Sequence, residues 1–168
     1  KRVEEGKKAF AGVEVRGKTL GVVGLGAIGG LVADAALQLG LRVVGFDPKA
    51  TAETVARLPS PVRLVGSADE CFAHADFVTL HVPLMESTRH LADARRLALA
   101  PPGAVLLNFS RAAIVDEEAV IAAVSSGRLK AYVCDFPSPR FAGQPGIVAL
   151  PHLGASTEEA EEASAAMV

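Results

Sequence analysis

Short apolar runs alternate along the chain with longer stretches in which apolar residues recur every three or four positions. The runs are rich in Val, Leu and Ile and are bounded by glycine, proline or charged residues, which is typical of buried strands. They predict strands over Leu20–Gly24, Arg42–Asp47, Val62–Val65, Phe77–Val82, Ala104–Phe109, Ala131–Asp135 and Ile147–Leu150, and helices near Gly29–Leu39, Thr51–Leu58, Ala68–Ala75, Arg89–Leu99, Glu117–Ser125 and Ser156–Ala166. Apolar strands separated by helices predict a parallel sheet covered on both faces, which is a doubly wound α/β architecture.

A glycine-rich loop lies between the first predicted strand and the first helix, with the pattern GxGxxG at Gly24, Gly26 and Gly29. The first glycine permits a tight turn, the second lets a pyrophosphate approach the backbone, and the third lets helix and strand pack closely. The pyrophosphate would lie against the free N–H groups at the helix N-terminus. The loop therefore predicts a Rossmann fold that binds a dinucleotide.

Asp47 ends the second predicted strand, 21 residues after Gly26. A carboxylate at this position accepts hydrogen bonds from the adenosine ribose and repels a 2′-phosphate, which favours NAD over NADP. Lys49 lies close enough in sequence to soften that repulsion, so NADP stays an alternative.

Composition and charge argue against several functional classes. The 168 residues are half hydrophobic with a net charge of -2, so no positive field attracts nucleic acid or anionic lipid. We find no apolar run of the roughly 20 residues that a membrane span needs, and no targeting signal. Cys71 and Cys134 lack metal-ligand spacing and are expected to be small buried side chains. A cytoplasmic protein without a metal site is the expectation.

Polar residues also follow four later strands at the point where each strand ends. The carboxyl ends of parallel strands share one edge of the sheet, where ligands of open α/β folds bind. These residues are His81, Asn108, Ser110, Arg111, Asp135 and His152, and Pro83 lies at the same strand end as His81. Ordinary structural roles stay open for them, such as a turn cap at Asp135 or an ion pair between Arg111 and Asp116. The guanidinium of Arg111 is suited to bind the carboxylate of an α-keto acid, and the imidazole of His152 is suited to transfer a proton. Beside NAD, these two groups favour hydride transfer to a carbonyl.

The motifs together resemble the D-isomer-specific 2-hydroxyacid dehydrogenase family. The matching stretches run in family order: Gly17–Gly29, Leu80–Leu84, Thr88–Leu91, Leu107–Asp116, Cys134–Pro137 and Pro151–Thr157. The resemblance implies hydride transfer between NAD and a D-2-hydroxy acid. We expect 3-phosphoglycerate as substrate; glyoxylate, hydroxypyruvate, lactate or formate, and a non-catalytic NAD sensor, are the alternatives.

The resemblance also assigns roles. Arg111 matches the catalytic arginine that binds substrate, and His152 matches the catalytic acid/base. Ala27 and Ile28 would give backbone contacts to the pyrophosphate, and Asp135 matches the acid near the nicotinamide. The residues expected to contact NAD are Gly24, Gly26, Ala27, Ile28, Gly29, Asp47, His81, Pro83, Asn108, Phe109, Ser110, Asp135 and Gly154.

Two positions depart from the family pattern. Ala112 follows the arginine where a glycine is usual, which is a mild change. Arg140 stands where the carboxylate partner of the histidine is expected, five residues after Asp135. Either a group in a second domain supplies this carboxylate, or Arg111 and His152 work without one, and we expect the second.

The family is two-domain, and this chain is expected to be a fragment that carries the cofactor domain alone. Residues 1–17 would be a lead-in segment, residues 18–155 the NAD-binding domain, and residues 156–168 the start of a helix returning to a substrate domain. A homodimer or tetramer is expected. By itself the chain is expected to bind NAD with little or no turnover.

Overall fold

A seven-stranded, wholly parallel sheet forms the centre of the computed structural model. The structure describes residues 12–58, 61–154, 156–160 and 162. The strands are β1 (Thr19–Val23), β2 (Arg42–Phe46), β3 (Arg63–Leu64), β4 (Phe77–Leu80), β5 (Ala104–Asn108), β6 (Leu129–Cys134) and β7 (Ile147–Ala149), in the order β3-β2-β1-β4-β5-β6-β7. The order reverses direction between β1 and β4, as in a doubly wound Rossmann sheet, so the predicted fold class is confirmed.

In the described part of the chain, five α-helices connect the strands, and most begin at a side chain that caps the first turn. They are α1 (Ala27–Gln38), α2 (Ala52–Arg57), α3 (Ala68–His74), α4 (Ala94–Leu99) and α5 (Glu117–Ser125), with single 3₁₀ turns at Glu86–Thr88, Ala112–Ile114 and Pro139–Phe141. Thr51, Ser67, Asp93 and Asp116 accept backbone N–H groups from the first turns of α2 to α5. α1 lacks such a cap, because its N-cap residue is Gly26.

The helix predicted from Arg89 was wrong at its start. α4 begins at Ala94, where Asp93 Oδ1 accepts the N–H of Arg96 at 2.8 Å. The preceding His90 has φ of 50°, which a helix does not allow, and Ala92 instead forms a parallel bridge with Val115. That bridge buries the apolar residues just before α4. Their spacing in the sequence also fits one face of a helix, which is why the prediction began the helix too early.

Among the described residues, the apolar core divides into two clusters. One gathers β4, β5 and β6 with α3, α4 and α5 and includes the fully buried Phe72 and Tyr132. The other joins α1 to β1 and β2. Cys71 and Cys134 are free and buried, as expected, and burial raises the pKa of Cys71 to about 12. The sheet is therefore held rigidly between helices, which fixes the positions of the strand ends.

An ion-pair cluster joins α3 to α4 at the surface. Asp69 accepts hydrogen bonds from Arg95 at 2.6 and 3.0 Å and from Arg96 Nε at 2.8 Å. These partners, with the Arg95 hydrogen bond the largest contribution, lower the pKa of Asp69 to about 2.

The last predicted helix, Ser156–Ala166, lies only partly within the described residues. Residues 158–160 and 162 are helical, and Thr157 Oγ1 accepts the N–H of Ala160 at 3.2 Å. Of the predicted lead-in segment, residues 1–11 lie outside the described part. Across the described ranges, no helix has the length and apolar character needed to cross a membrane.

Candidate cofactor site and reaction centre

The polar residues predicted at the strand ends do share one edge of the sheet. All seven strands run parallel, so their carboxyl ends, and the loops that follow them, lie on the same side. The glycine loop follows β1, directly beside the loop that follows β4, at the point where the strand order reverses. This is the crevice in which open α/β sheets bind their ligands.

The three glycines of the loop serve different purposes. Gly24 has φ of +95°, and a Cβ there would lie 2.6 Å from the carbonyl oxygen of His81. A Cβ on Gly29 would overlap the carbonyl oxygen of Gly24. Gly26 is different, since a Cβ there would meet no atom of the described residues within 4 Å. The fold itself therefore requires Gly24 and Gly29, whereas nothing in the described protein requires Gly26.

The N-terminus of α1 opens towards this edge. Its N-cap, Gly26, offers no side-chain acceptor to the first-turn N–H groups. Ala27 and Ile28 are exposed, and Ile28 is 67% exposed. Free N–H groups at the positive end of a helix dipole form a site for an anion such as a pyrophosphate.

Asp47 stands at the end of β2 and is held by the glycine loop. Its Oδ2 accepts the N–H of Leu25 at 2.9 Å, and its Oδ1 accepts the N–H of Lys49 at 2.8 Å. A carboxylate has about four acceptor positions, so two further hydrogen bonds from ribose hydroxyls are available to it. The carboxylate is thus held in place before any ligand arrives.

Side chains tie the loops after β4 and β5 together. Ser110 donates its hydroxyl proton to the carbonyl of Val82 at 2.6 Å. His81 Nε2 lies 3.0 Å from the hydroxyl of Thr79, and burial lowers the pKa of His81, which favours its neutral form. Pro83 is exposed beside them. Together these contacts give the crevice a rigid wall opposite the glycine loop.

Asn108 does not face the crevice through its side chain. It is 0% exposed, donates to the carbonyl of Arg111 at 3.0 Å and accepts the N–H of Ser110 at 3.2 Å. Its amide therefore holds the loop that carries Arg111 in place. Because the side chain is fully buried, it is not positioned to contact the cofactor. Phe109 beside it is 43% exposed. Burial of a strand-end amide cannot be read from its position in the sequence.

Arg111 is exposed at the end of the β5 loop. Its Nη1 donates to the carbonyl of Ser110 at 2.7 Å, which is one bond from a group that carries five N–H donors. Ala112, where the family has glycine, begins a 3₁₀ turn and does not have a positive φ. Alanine is therefore accommodated there without backbone strain.

His152 has a carboxylate partner, contrary to expectation. Its Nδ1 lies 2.8 Å from Oδ2 of Asp135, whose side chain is only 13% exposed. The ring of Phe136 stacks on the imidazole with centroids 5.0 Å apart and planes 29° from parallel. Sequence reasoning missed Phe136, although an aromatic residue next to a strand-end aspartate was a visible signal.

Arg140 belongs to a different contact. Its guanidinium donates to Glu118 of α5 at 2.9 Å, on the exposed surface of that helix. The expectation that His152 lacks a carboxylate rested on the positions of acidic residues along the sequence. It was wrong because a residue on a neighbouring strand end, distant in sequence from His152, supplies the carboxylate.

The residues at this edge fit a bound NAD molecule. The uncapped N-terminus of α1 and the open space at Gly26 suit a pyrophosphate, and Asp47 suits a ribose. Asp135 Oδ1 is buried without a hydrogen-bond partner among the described residues, so this acceptor is available to a ligand. The exposed Gly154 lies two residues beyond His152.

Comparison with known proteins agrees with this geometry. Residues 1–154 match the family model described as "D-isomer specific 2-hydroxyacid dehydrogenase, NAD binding domain". The chain is 38% identical to D-3-phosphoglycerate dehydrogenase of Methanocaldococcus jannaschii, over 100% of this chain and 33% of that protein. It is 40% identical to hydroxypyruvate reductase of Thermotoga maritima, over 92% of this chain and 52% of that protein. The chain thus spans a third to a half of these relatives.

Solved structures show the same fold. D-mandelate dehydrogenase of Rhodotorula graminis superposes with a TM-score of 0.84 at 31% identity, over 96% of this chain and 48% of that one. An NAD complex of a D-isomer specific 2-hydroxyacid dehydrogenase from Lactobacillus delbrueckii ssp. bulgaricus superposes with a TM-score of 0.79 at 25% identity, over 90% and 51% of the two chains. The chain belongs to the D-isomer specific 2-hydroxyacid dehydrogenase family and forms its NAD-binding domain.

Proposed function

We propose that this chain is the cofactor domain of an NAD-dependent dehydrogenase that interconverts a D-2-hydroxy acid and its 2-keto acid. The observation that carries the proposal is the arrangement at one sheet edge. A dinucleotide-binding loop, an exposed arginine and a histidine paired with a carboxylate all lie there. The first two recognise a cofactor and an acid, and the third exchanges a proton.

Arg111 is proposed to bind the substrate carboxylate. A guanidinium presents paired N–H donors that match a carboxylate in two parallel hydrogen bonds, and it is charged at every physiological pH. The contact of Asn108 with the Arg111 carbonyl holds the backbone of this residue in place. The substrate would thereby be oriented by a guanidinium on a fixed loop.

His152 is proposed to be the acid/base of the reaction. Bound NAD supplies the hydride acceptor, and NADH the hydride donor in reverse. When the hydroxy acid is oxidised, the imidazole takes up the proton of its hydroxyl group, and it returns a proton to the carbonyl oxygen in the opposite direction. The stacked ring of Phe136 limits the orientations in which this exchange takes place.

For the substrate we propose 3-phosphoglycerate, so that the enzyme would act in serine biosynthesis. Support comes from the D-3-phosphoglycerate dehydrogenases among its relatives, including those of Methanocaldococcus jannaschii and Synechocystis, each 38% identical. The identity of 40% to a hydroxypyruvate reductase favours hydroxypyruvate as a second candidate.

The domain organisation is also a proposal. Residues 18–155 would form the cofactor domain, and residues 156–168 would begin a helix that returns to a substrate domain encoded outside this sequence. The spans of 33% and 52% in the two relatives support that division. A homodimer or tetramer in the cytoplasm is the expected setting.

The test uses the full-length enzyme with Arg111→Ala and the matched control Arg140→Ala. NADH formation is measured with 3-phosphoglycerate and with D-glycerate, the reduced form of hydroxypyruvate, and NAD affinity is measured separately. Arg111→Ala is expected to lose about 100-fold or more in kcat/KM while NAD affinity changes less than about twofold. Arg140→Ala should behave as wild type.

Two results would refute the proposal. Wild-type enzyme that binds NAD but oxidises no D-2-hydroxy acid would identify a non-catalytic sensor. Vigorous dehydrogenase activity of the 168-residue chain alone would contradict the proposed need for a second domain.

A further inference from the structure

A groove with a volume of about 470 Å³ lies at the amino-terminal edge of the sheet, on the side opposite the cofactor site. It lies where β1, β2 and β3 begin and where α1 and α3 end. At a rise of about 3.3 Å per residue, Asp47 beyond the far end of β2 lies roughly 16 Å from Arg42, which lines the groove. The groove is therefore distinct from the dinucleotide site.

Three cationic or ionisable nitrogen side chains from three different elements line this groove. Arg42 begins β2, Arg63 begins β3, and His74 is the last residue of α3. Position 63 pairs with position 44, and residue 42 shares the face of residue 44 because side chains alternate along a strand. The two arginines therefore stand on one face of adjacent strands, with Cα atoms about 8 Å apart from the strand spacing and rise.

The charges of these side chains are not neutralised by the described part of the chain. All three are exposed, and none forms an ion pair with a described residue. None of the described residues that line the groove is acidic. Asp76, a carboxylate at this edge, accepts the N–H of Thr19 at 2.8 Å and lies 3.7 Å from Nζ of Lys18. Two guanidinium groups so close repel each other, so a bound anion would lower the free energy of the pair.

The remainder of the groove is largely apolar. Leu37 of α1 and Leu41 after it form one wall, and Val43 and Pro61 line the groove beside them. The volume falls within the range of about 300–1,000 Å³ that is usual for small-molecule sites. Apolar walls beside paired guanidinium groups suit an organic anion better than a hydrated inorganic ion.

We propose that this groove binds a phosphate monoester with an apolar or aromatic body. Such a group carries a charge of about −1.5 to −2 at pH 7 and three acceptor oxygens, so it accepts hydrogen bonds from both Arg42 and Arg63. The planar N–H pairs of a guanidinium match phosphate oxygens. The apolar body lies against Leu37 and Leu41. The inference goes beyond the proposed function and uses no residue of the cofactor site or the reaction centre.

The experiment titrates the 168-residue chain by calorimetry with phenyl phosphate and with inorganic phosphate. Both titrations are made with and without saturating NAD, because NAD occupies the other anion site, at the N-terminus of α1. Phenyl phosphate should bind one molecule per chain in either condition, about tenfold more tightly than inorganic phosphate.

Substitutions separate the charged and apolar parts of the groove. Arg42→Gln and Arg63→Gln should each weaken binding of phenyl phosphate about tenfold. The matched control Arg128→Gln removes the same charge from an exposed residue before β6, four strands along the sheet from β2, and should bind as wild type. Leu41→Ala should weaken binding of phenyl phosphate while its affinity for inorganic phosphate, which also reports an intact fold, stays unchanged.

Amide spectra of the wild-type chain locate the ligand without any substitution. Signals of residues 42, 43, 63 and 74 should shift with phenyl phosphate when NAD is present, and those of residues 26–28 should not. No saturable binding, or binding that survives loss of either arginine, would overturn the proposal. Binding seen only without NAD would assign the phosphate to the N-terminus of α1 and overturn it as well. Equal affinity for inorganic phosphate would refute the role of the apolar wall.

Discussion

The three glycines at positions 26, 29 and 30 allow a direct separation of folding from cofactor binding. A methyl group on Gly29 would overlap the Gly24 carbonyl, one on Gly30 would lie 3.6 Å from the Leu58 side chain, and one on Gly26 would meet nothing. Alanine substitutions should therefore affect unfolding and NAD binding in three different ways.

The magnitudes follow from these contacts. A methyl group on Gly29 overpacks the loop at a cost of about 3 kcal/mol, and the better helix propensity of alanine offsets about 1 kcal/mol of this. Gly29→Ala should therefore lower the free energy of unfolding by about 2 kcal/mol. Gly30→Ala should gain up to about 1 kcal/mol from propensity with NAD affinity unchanged. Gly26→Ala should lose less than about 1 kcal/mol, because alanine is a poorer N-cap than glycine. It should nevertheless weaken NAD binding at least about tenfold, because its methyl group occupies the approach of the pyrophosphate.

Urea denaturation measures the free energy of unfolding, and calorimetric titration measures the affinity for NAD. A loss of about 2 kcal/mol shifts the urea midpoint by about 1 M for a chain of this size. Gly26→Ala with wild-type NAD affinity would refute the assignment of the loop. So would a Gly30→Ala variant that loses as much affinity as Gly26→Ala.

Three further predictions concern single side chains. Asp47→Ala should lower the free energy of unfolding by about 1–3 kcal/mol, because the buried N–H of Leu25 loses its acceptor, and should reduce the preference for NAD over NADP in binding titrations. Asn108→Ala should destabilise the chain by about 1–3 kcal/mol in urea and, in the full-length enzyme, raise KM for the hydroxy acid through displacement of Arg111. Asp69→Asn should lower the free energy of unfolding near pH 7 by only about 1 kcal/mol, because the side chain is 37% exposed and solvent weakens its ion pairs. Because folding lowers the pKa of Asp69, that difference should persist above pH 3.8 and vanish as the pH falls to about 2, which urea titrations across pH would show.

Local sequence signals were sufficient for most of the fold. The alternation of apolar strands and helices gave the parallel sheet, and the glycine loop with Asp47 gave the cofactor, because these features depend on neighbouring residues. The start of α4 was wrong, since the burial of Ala92 depends on a bridge to Val115, a partner distant in sequence. The sequence alone does not distinguish residues buried by such a long-range pairing from those on the buried face of a helix.

The reaction centre was less accessible for the same reason. The contact of Asp135 with His152 depends on how the loops after β6 and β7 converge, which the spacing of residues does not encode. Asn108 was correctly placed at a strand end, but its complete burial depends on Tyr132 and the surrounding core. The sequence thus predicted which residues reach the edge of the sheet and not how they pair there.

Titration of the 168-residue chain with NAD and with NADP tests whether the glycine loop and Asp47 form a site selective for NAD. Calorimetry should show one NAD molecule bound per chain, with NADP at least about tenfold weaker because the Asp47 carboxylate repels the 2′-phosphate. A chain that folds but binds neither nucleotide, or that binds NADP as tightly as NAD, would refute the assignment of an NAD site to this edge of the sheet.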